Sequence, residues 1–175
     1  EYAKKDIKIA KKENEMSDAY KRLQNMVGLN DVKAVIDNII AAYKMQKIRN
    51  GYLKSDAVSS RHMIFTGNPG SAKTTVARLV AEILKNEGVL ETGEFVECGR
   101  ADLIGKYVGW TAPAVKAKFR QAQGGVLFID EAYSLVDDTA SFADEAINTI
   151  VQEMENHRDD VIVIFAGYTV KSKML

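Results

Sequence analysis

Apolar residues follow two rhythms along this chain. Short continuous runs, Met63-Ile64-Phe65-Thr66, Phe95-Val96-Glu97-Cys98, Val126-Leu127-Phe128-Ile129 and Val161 to Ala166, have the length and make-up of buried strands. Between them, apolar positions recur every three or four residues. Val76, Leu79, Val80, Ile83 and Leu84 mark one face of a helix predicted over Thr74 to Asn86. Further helices are predicted over Pro113 to Gln123, opened by Thr111, and over Phe142 to His157. Upstream, Val32, Val35, Ile36, Ile39, Ile40, Tyr43 and Ile48 predict a helix capped by Asn30 or Asp31 and ended by Asn50-Gly51. Strands alternating with helices predict an α/β fold with a mainly parallel sheet. Strands buried on both faces have no polar alternate positions, which is why these runs are continuous.

Residues 1–24 lack this regularity. They are rich in Lys and Glu, and Ile7, Ile9, Ala10, Met16, Ala19, Tyr20 and Leu23 recur only loosely, so we expect a linker or a helix that docks on a neighbour. Residues 25–175 carry the patterned core. Both ends look cut: the first residue is Glu1, and Leu175 closely follows a strand-like run, so a piece of a longer protein is expected.

Charge narrows the partners. Lys plus Arg is 24 and Asp plus Glu is 24. This balance gives no electrostatic case for nucleic acid, which calls for a basic excess. No apolar run approaches the ~20 residues of a membrane span, and the charged N-terminus is no signal peptide. The lone Cys98 has no partner for an internal disulfide, which favours a reducing compartment and a cytoplasmic location.

The most specific chemistry lies between the first strand and the helix after it. Gly67-Asn68-Pro69-Gly70-Ser71-Ala72-Lys73-Thr74, followed by Thr75, fits the P-loop pattern G-x-x-x-x-G-K-S/T in its required strand-to-helix setting. Small residues let successive backbone N–H groups turn inward onto phosphate oxygens, and the following helix presents its positive end to the same charge. Lys73 is expected to reach the β- and γ-phosphates, and the Thr74 hydroxyl to bind Mg²⁺. Ala72 stands where the pattern has its last glycine. If that position needs positive φ, alanine costs about 1 kcal/mol; if φ is negative it costs nothing.

A second signal closes the third strand. Val126-Leu127-Phe128-Ile129 runs into Asp130-Glu131. Ligands of parallel sheets bind beyond the C-terminal strand ends. Asp130 is therefore placed to hold Mg²⁺, and Glu131 to activate the attacking water as general base. The sequence holds no Asn-Lys-x-Asp segment for reading guanine. His62 and His157 are too far apart in sequence for metal-ligand spacing.

Together these motifs resemble Walker A and Walker B of AAA+ ATPases, which implies a P-loop NTPase three-layer α/β/α fold. The wording is closest to the group of stage V sporulation protein K and the red-type Rubisco activases. The resemblance rests on His62 to Gly70, Asp102 to Gly109, Gly124 to Leu135 and Phe165 to Tyr168, and it runs from about Leu23 to Tyr168. It implies ATP as ligand, with Val27, Gly28 and Leu29 packing on the adenine. It implies that Tyr107 and Val108 belong to a pore loop gripping a protein substrate in a homo-oligomeric ring, commonly of six. The residue that senses the γ-phosphate, usually a polar residue after the fourth strand, would here be Tyr168 or Thr169. The arginine finger and the C-terminal helical lid lie beyond the chain, so the fragment alone is expected to be nearly inactive.

The leading function is ATP hydrolysis coupled to remodelling or threading of a protein. The alternative is a nucleotide-dependent switch or scaffold, favoured by Ala72 and the unusual sensor region and opposed by Glu131. A DNA-acting motor is disfavoured by the charge balance and the Tyr-Val-Gly loop.

Overall fold

The computed structural model describes residues 17–50, 61–107, 109–136 and 141–168. Along the chain these form α1 (Asp18–Asn25), α2 (Asn30–Asn50), β1 (Met63–Thr66), α3 (Lys73–Asn86), β2 (Phe95–Cys98), α4 (Arg100–Leu103), α5 (Thr111–Gln121), β3 (Val126–Ile129), a 3₁₀ turn (Ala132–Leu135), α6 (Ser141–Asn156) and β4 (Ile162–Gly167). The four strands are all parallel, in the order β1-β4-β3-β2. This is the three-layer α/β/α arrangement expected of a P-loop fold.

The continuous apolar runs are explained by what covers each face. Along β3 and β4, Val126, Phe128, Ile162, Ile164 and Ala166 join one buried cluster with α1, α2 and α3. Their neighbours Leu127, Ile129, Val161 and Val163 join a second cluster with α5, α6 and the 3₁₀ turn. A strand turns successive side chains to opposite faces, so a strand covered on both sides is apolar at every position. All four β3 residues are buried, as this requires.

β1 is less buried than its sequence predicts. Met63 is buried, but Ile64 is 53% exposed and Thr66 is exposed. Among the described residues β1 has a partner on one edge only, β4, and an edge strand lacks the cover that β3 receives. His62, just before β1, ties its start to the sheet: Nδ1 accepts a hydrogen bond from the Val163 N–H at 3.0 Å. Burial pushes the His62 imidazole below its ordinary value, so the neutral ring that this bond requires is the favoured form.

Within the N-terminal segment, Asp18–Asn25 form a helix that packs on this domain itself and not on a separate neighbour. Ser17 caps α1, its Oγ accepting from the Tyr20 N–H at 3.2 Å, and Ala19 and Leu23 are fully buried against α3. Burying Leu23 contributes about 2 kcal/mol. Residues 1–16 lie outside the described residues.

Two helix starts differ from expectation. α2 begins at Asn30 itself, after Gly28 and Leu29 turn the chain with φ of +77° and +58°. α5 begins at Thr111, which is fully buried; its Oγ1 accepts from the Gly105 N–H at 3.2 Å, so the threonine clamps the preceding loop. The four-residue α4 was not expected, because one turn is too short to show a period.

Candidate functional site

Strand order decides what meets at the C-terminal edge of the sheet. β4 lies between β1 and β3, with Thr66 paired to Gly167 and Ile129 to Phe165. The phosphate-loop candidate leaves β1, the carboxylate pair leaves β3, and Tyr168 follows β4 between them. They line one cavity of about 490 Å³, with Pro69, Gly70, Ser71, Ala72, Lys73, Thr74, Thr75, Asp130, Glu131, Tyr133, Gly167 and Tyr168 in its wall.

The loop is held by its own backbone. The Gly67 N–H donates to the Gly167 carbonyl at 3.1 Å, and the Ser71 N–H to the Asn68 carbonyl at 3.2 Å. Gly70 has φ +75°, open only to glycine without strain. A Cβ at Gly67 would sit 2.7 Å from Ser71 Oγ, so a side chain there would push on the turn. α3 then starts at Lys73 with no side-chain cap and no acidic residue in its first turn. Its first amides have no acceptor inside the helix and carry the positive end of the dipole, an opening suited to an anion.

Ala72 takes the costly alternative. Its φ is +58° and ψ +24°, in the left-handed region where glycine is at ease. Ala72→Gly is therefore expected to raise stability by about 0.5–1 kcal/mol, the relieved strain outweighing the added freedom of the unfolded chain. Chemical denaturation of the two proteins checks this; a lower midpoint for the glycine variant would mean that the alanine is unstrained.

Lys73 is half-buried, and its Nζ donates to the Gly67 and Asn68 carbonyls, each at 3.0 Å. The same ammonium lies 5.4 Å from the centre of the Tyr168 ring. Across the cavity, the Asp130 N–H donates to the Cys98 carbonyl at 2.9 Å, which fixes the end of β3 against β2. Asp130 Oδ1 accepts from the Glu131 N–H at 2.9 Å. Glu131 is exposed and has φ +49°, ψ +40°, an uncommon conformation for a non-glycine residue that turns the chain sharply out of the strand. Among the described residues lining the cavity, Lys73 is the one cation.

The arrangement fits a nucleotide with Mg²⁺. An open helix end and an ammonium face a hydroxyl and two carboxylates in one cavity. Mg²⁺ takes few protein ligands and keeps waters and phosphate oxygens, so Thr74 and Asp130, which line the same cavity, would serve as its protein donors. Among the described residues no group of three or more His, Cys, Asp or Glu stands together. Burial pushes the Cys98 thiol up to about 12, which makes it a core residue and not a nucleophile.

A family model of the "ATPase family associated with various cellular activities (AAA)" matches residues 63–173. The chain belongs to the AAA ATPase family. It is 44% identical over 153 residues to the chloroplastic ribulose bisphosphate carboxylase/oxygenase activase of Cyanidioschyzon merolae, covering 86% of this chain and 52% of that protein. It is 46% identical over 147 residues to the chromosomal protein CbxX of Cupriavidus necator, covering 83% and 46%. With the ESX-1 secretion system protein EccA1 of Mycobacterium tuberculosis it shares 43% over 162 residues, covering 90% and 28%. The chain thus spans about half, or less, of the curated relatives it matches. The solved FIGL-1 AAA domain in complex with ADP has the same fold, with a TM-score of 0.56 and 20% identity over 82% of this chain and 48% of that one.

In this AAA domain the other expected residues lie apart from the cavity. Val27, fully exposed, Gly28 and Leu29 are not in its wall; Leu29 packs on the first core cluster. Tyr107 is 63% exposed on the loop between α4 and α5, and Val108 lies outside the described residues, as does Thr169. Two residues escaped the sequence reading. Trp110, 60% exposed, meets Tyr107 edge-on with ring centres 4.9 Å apart. Tyr133 stands in the cavity wall with its ring 5.1 Å from that of Tyr168. An aromatic residue near each motif was the available signal; the fold puts Tyr133 in the cavity wall and leaves Trp110 exposed beside Tyr107. No helix among the described residues is long and apolar enough to cross a membrane.

Proposed function

We propose that the protein binds ATP with Mg²⁺ in this cavity and hydrolyses it to remodel or thread a protein substrate. The observation that carries the reading is the convergence of Lys73, Thr74, Asp130 and Glu131 on one cavity from the ends of two strands separated by a third. The loop from Asn68 to Thr75 holds the phosphates through its backbone N–H groups, Pro69 having none, Lys73 leaves its two carbonyls for the β- and γ-oxygens, and Thr74 with Asp130 holds Mg²⁺, which neutralises charge on those oxygens. Glu131 takes a proton from the attacking water. Val27, Gly28 and Leu29 are assigned to the adenine side on the strength of the family resemblance.

Lys73 stands as the one cation among the described lining residues, and hydrolysis builds charge on the transferred phosphoryl group. A second cation supplied by a neighbouring subunit would meet that charge, in keeping with a homo-oligomeric ring of about six and with slow turnover by this chain alone. Within the family we place the chain with the Rubisco activases and stage V sporulation protein K, and in the cytoplasm. Support for the group is the identity of 44% to a Rubisco activase; the similar identity of 43% to a secretion-system protein leaves the substrate as a protein, unspecified further. The switch or scaffold alternative draws on the strained Ala72.

Tyr107, exposed beside Trp110, is assigned to the substrate-gripping loop, with Val108 next to it. In the full-length protein, Tyr107→Ala is expected to leave ATP affinity within about twofold and to cut turnover stimulated by an unfolded protein by about tenfold. ATPase assays with unfolded protein, folded protein and DNA check the reading. Stimulation by DNA alone would make the protein a nucleic-acid motor; no turnover under any of the three would favour the switch.

A further inference from the structure

Tyr107 and Trp110 touch, yet they are rooted differently. Trp110 stands at the start of α5, where its carbonyl accepts the Ala114 N–H at 3.1 Å. Beneath it the loop closes on itself. Thr111, fully buried, holds the Gly105 N–H through its Oγ1 at 3.2 Å. A Cβ on Gly105 would fall 2.5 Å from Trp110 Cβ and 2.7 Å from the Trp110 carbonyl carbon, so glycine lets the two sides of the neck meet. Tyr107 lies beyond that neck. Its carbonyl accepts the Trp110 N–H at 3.2 Å, with Gly109 at φ +81° inside the turn. The turn sets the two rings edge to face, their centres 4.9 Å apart and their planes at 70°. Both rings are more than half exposed, so neither belongs to the core.

We propose that Trp110 is a specificity-determining residue for the protein substrate. Tyr107 and Trp110 together grip one bulky apolar side chain of an extended polypeptide, with Trp110 as the rooted ring and Tyr107 as the ring carried on the loop. The proposal rests on the reading above that the protein remodels or threads a protein.

Two joined rings select more strongly than one. Tyr and Trp offer a large contact area with few rotatable bonds, so little freedom is lost when they close on a ligand. A lone tyrosine between Gly105 and Gly109 must be ordered at each contact; the edge-to-face contact with Trp110 orders it beforehand. The rings carry no formal charge, so the side chain they favour is apolar and large enough to reach both. Leucine, methionine and the aromatics qualify, and serine or glycine does not. Such side chains are buried in a folded protein and exposed along an unfolded one, which makes the pair a reader of unfolding. Nucleic-acid bases also stack on aromatics, but their backbone calls for a basic groove, and this chain balances 24 basic against 24 acidic residues.

The test uses the full-length protein and a permanently unfolded polypeptide of fixed length and charge. It is made with leucine at spaced positions or with serine at the same positions. The concentration giving half-maximal stimulation of ATP hydrolysis is expected to be about tenfold lower for the leucine version. Trp110→Ala should remove that preference by raising the concentration for the leucine version alone. Trp110→Phe keeps a ring and should stay within about threefold of the parent on both versions. The difference in tryptophan emission between the parent and Trp110→Phe isolates position 110. It should shift to the blue with the leucine version and stay unchanged with the serine version or with single-stranded DNA. No preference in the parent, an unchanged preference in Trp110→Ala or an equal loss on both versions overturns the proposal. So does an emission shift with DNA as large as that with leucine. Should Trp110→Ala unfold, as a thermal melt would show, the emission measurement still decides. Two outcomes separate this failure from that of the reading beneath it. If neither version stimulates the parent, the remodelling reading fails and the proposal falls with it. If Tyr107→Ala loses stimulation while Trp110→Ala behaves as the parent, the part given to the tryptophan alone is wrong.

Discussion

Lys73→Ala is expected to weaken binding of Mg-ATP and Mg-ADP by about 100-fold or more, while leaving the fold intact. Its ammonium makes two hydrogen bonds to loop carbonyls at 3.0 Å in the ligand-free structure, so the side chain is already aimed along the loop. Exchanging those carbonyls for phosphate oxygens replaces neutral partners with charged ones, each worth about 1.5–3 kcal/mol. Two such contacts amount to at least two decades in Kd. The truncation costs little stability, because Gly67 is half-buried and Asn68 exposed, so water can replace the lost donor. Calorimetric titration with ATP, ADP and GTP, alongside a thermal melt, measures both effects. Unchanged affinity with an unchanged melt would show that the loop is a structural turn and that phosphate binds elsewhere.

Glu131→Gln should separate binding from turnover. The amide keeps the size of the side chain and a carbonyl that accepts a hydrogen bond, but it cannot take a proton from water. General-base catalysis contributes about 10²–10⁴ in rate, and kcat should fall by that factor in the full-length protein. Affinity for ATP should stay within about threefold, because Glu131 adds negative charge near the phosphates and its removal relieves some repulsion. The expected product is a protein that holds ATP without consuming it, seen as retained nucleotide after gel filtration. Turnover near that of the parent would transfer the base role to another group, with Asp130 the next carboxylate in the cavity. Loss of binding together with turnover would show instead that Glu131 supports the loop.

Much of the fold was legible in the chain because local rules are strong there. The β3 and β4 runs are apolar at every position since each is covered on both faces, and the heptad-like spacing of Val76, Leu79, Val80, Ile83 and Leu84 matches the buried face of α3. The phosphate loop was legible because its small residues, its lysine and its strand-to-helix setting are demanded together by one ligand. The β1 run has the make-up of a buried strand, yet a four-residue run carries no sign of whether a neighbour strand lies on each side.

Three features of the site depended on residues far apart in the chain. Ala72 left its own backbone undecided: alanine prefers negative φ, and only closure of the loop between β1 and α3 forces +58° on it. Glu131 gave no hint of φ +49°, since glutamate carries no preference for that region. Tyr133 looked like any residue after a strand, and the line from Lys73 through Tyr168 exists only because β4 is inserted between β1 and β3. The sequence by itself determined which groups are present, the strand-to-helix loop that carries Lys73 and Thr74, and the strand end that carries Asp130 and Glu131. Tertiary structure alone decided strand order, and with it which side chains face one another across the cavity. The reason is physical: local periodicity records which side of an element is buried, while the choice of neighbour is made by pairing between segments that have no sequence in common.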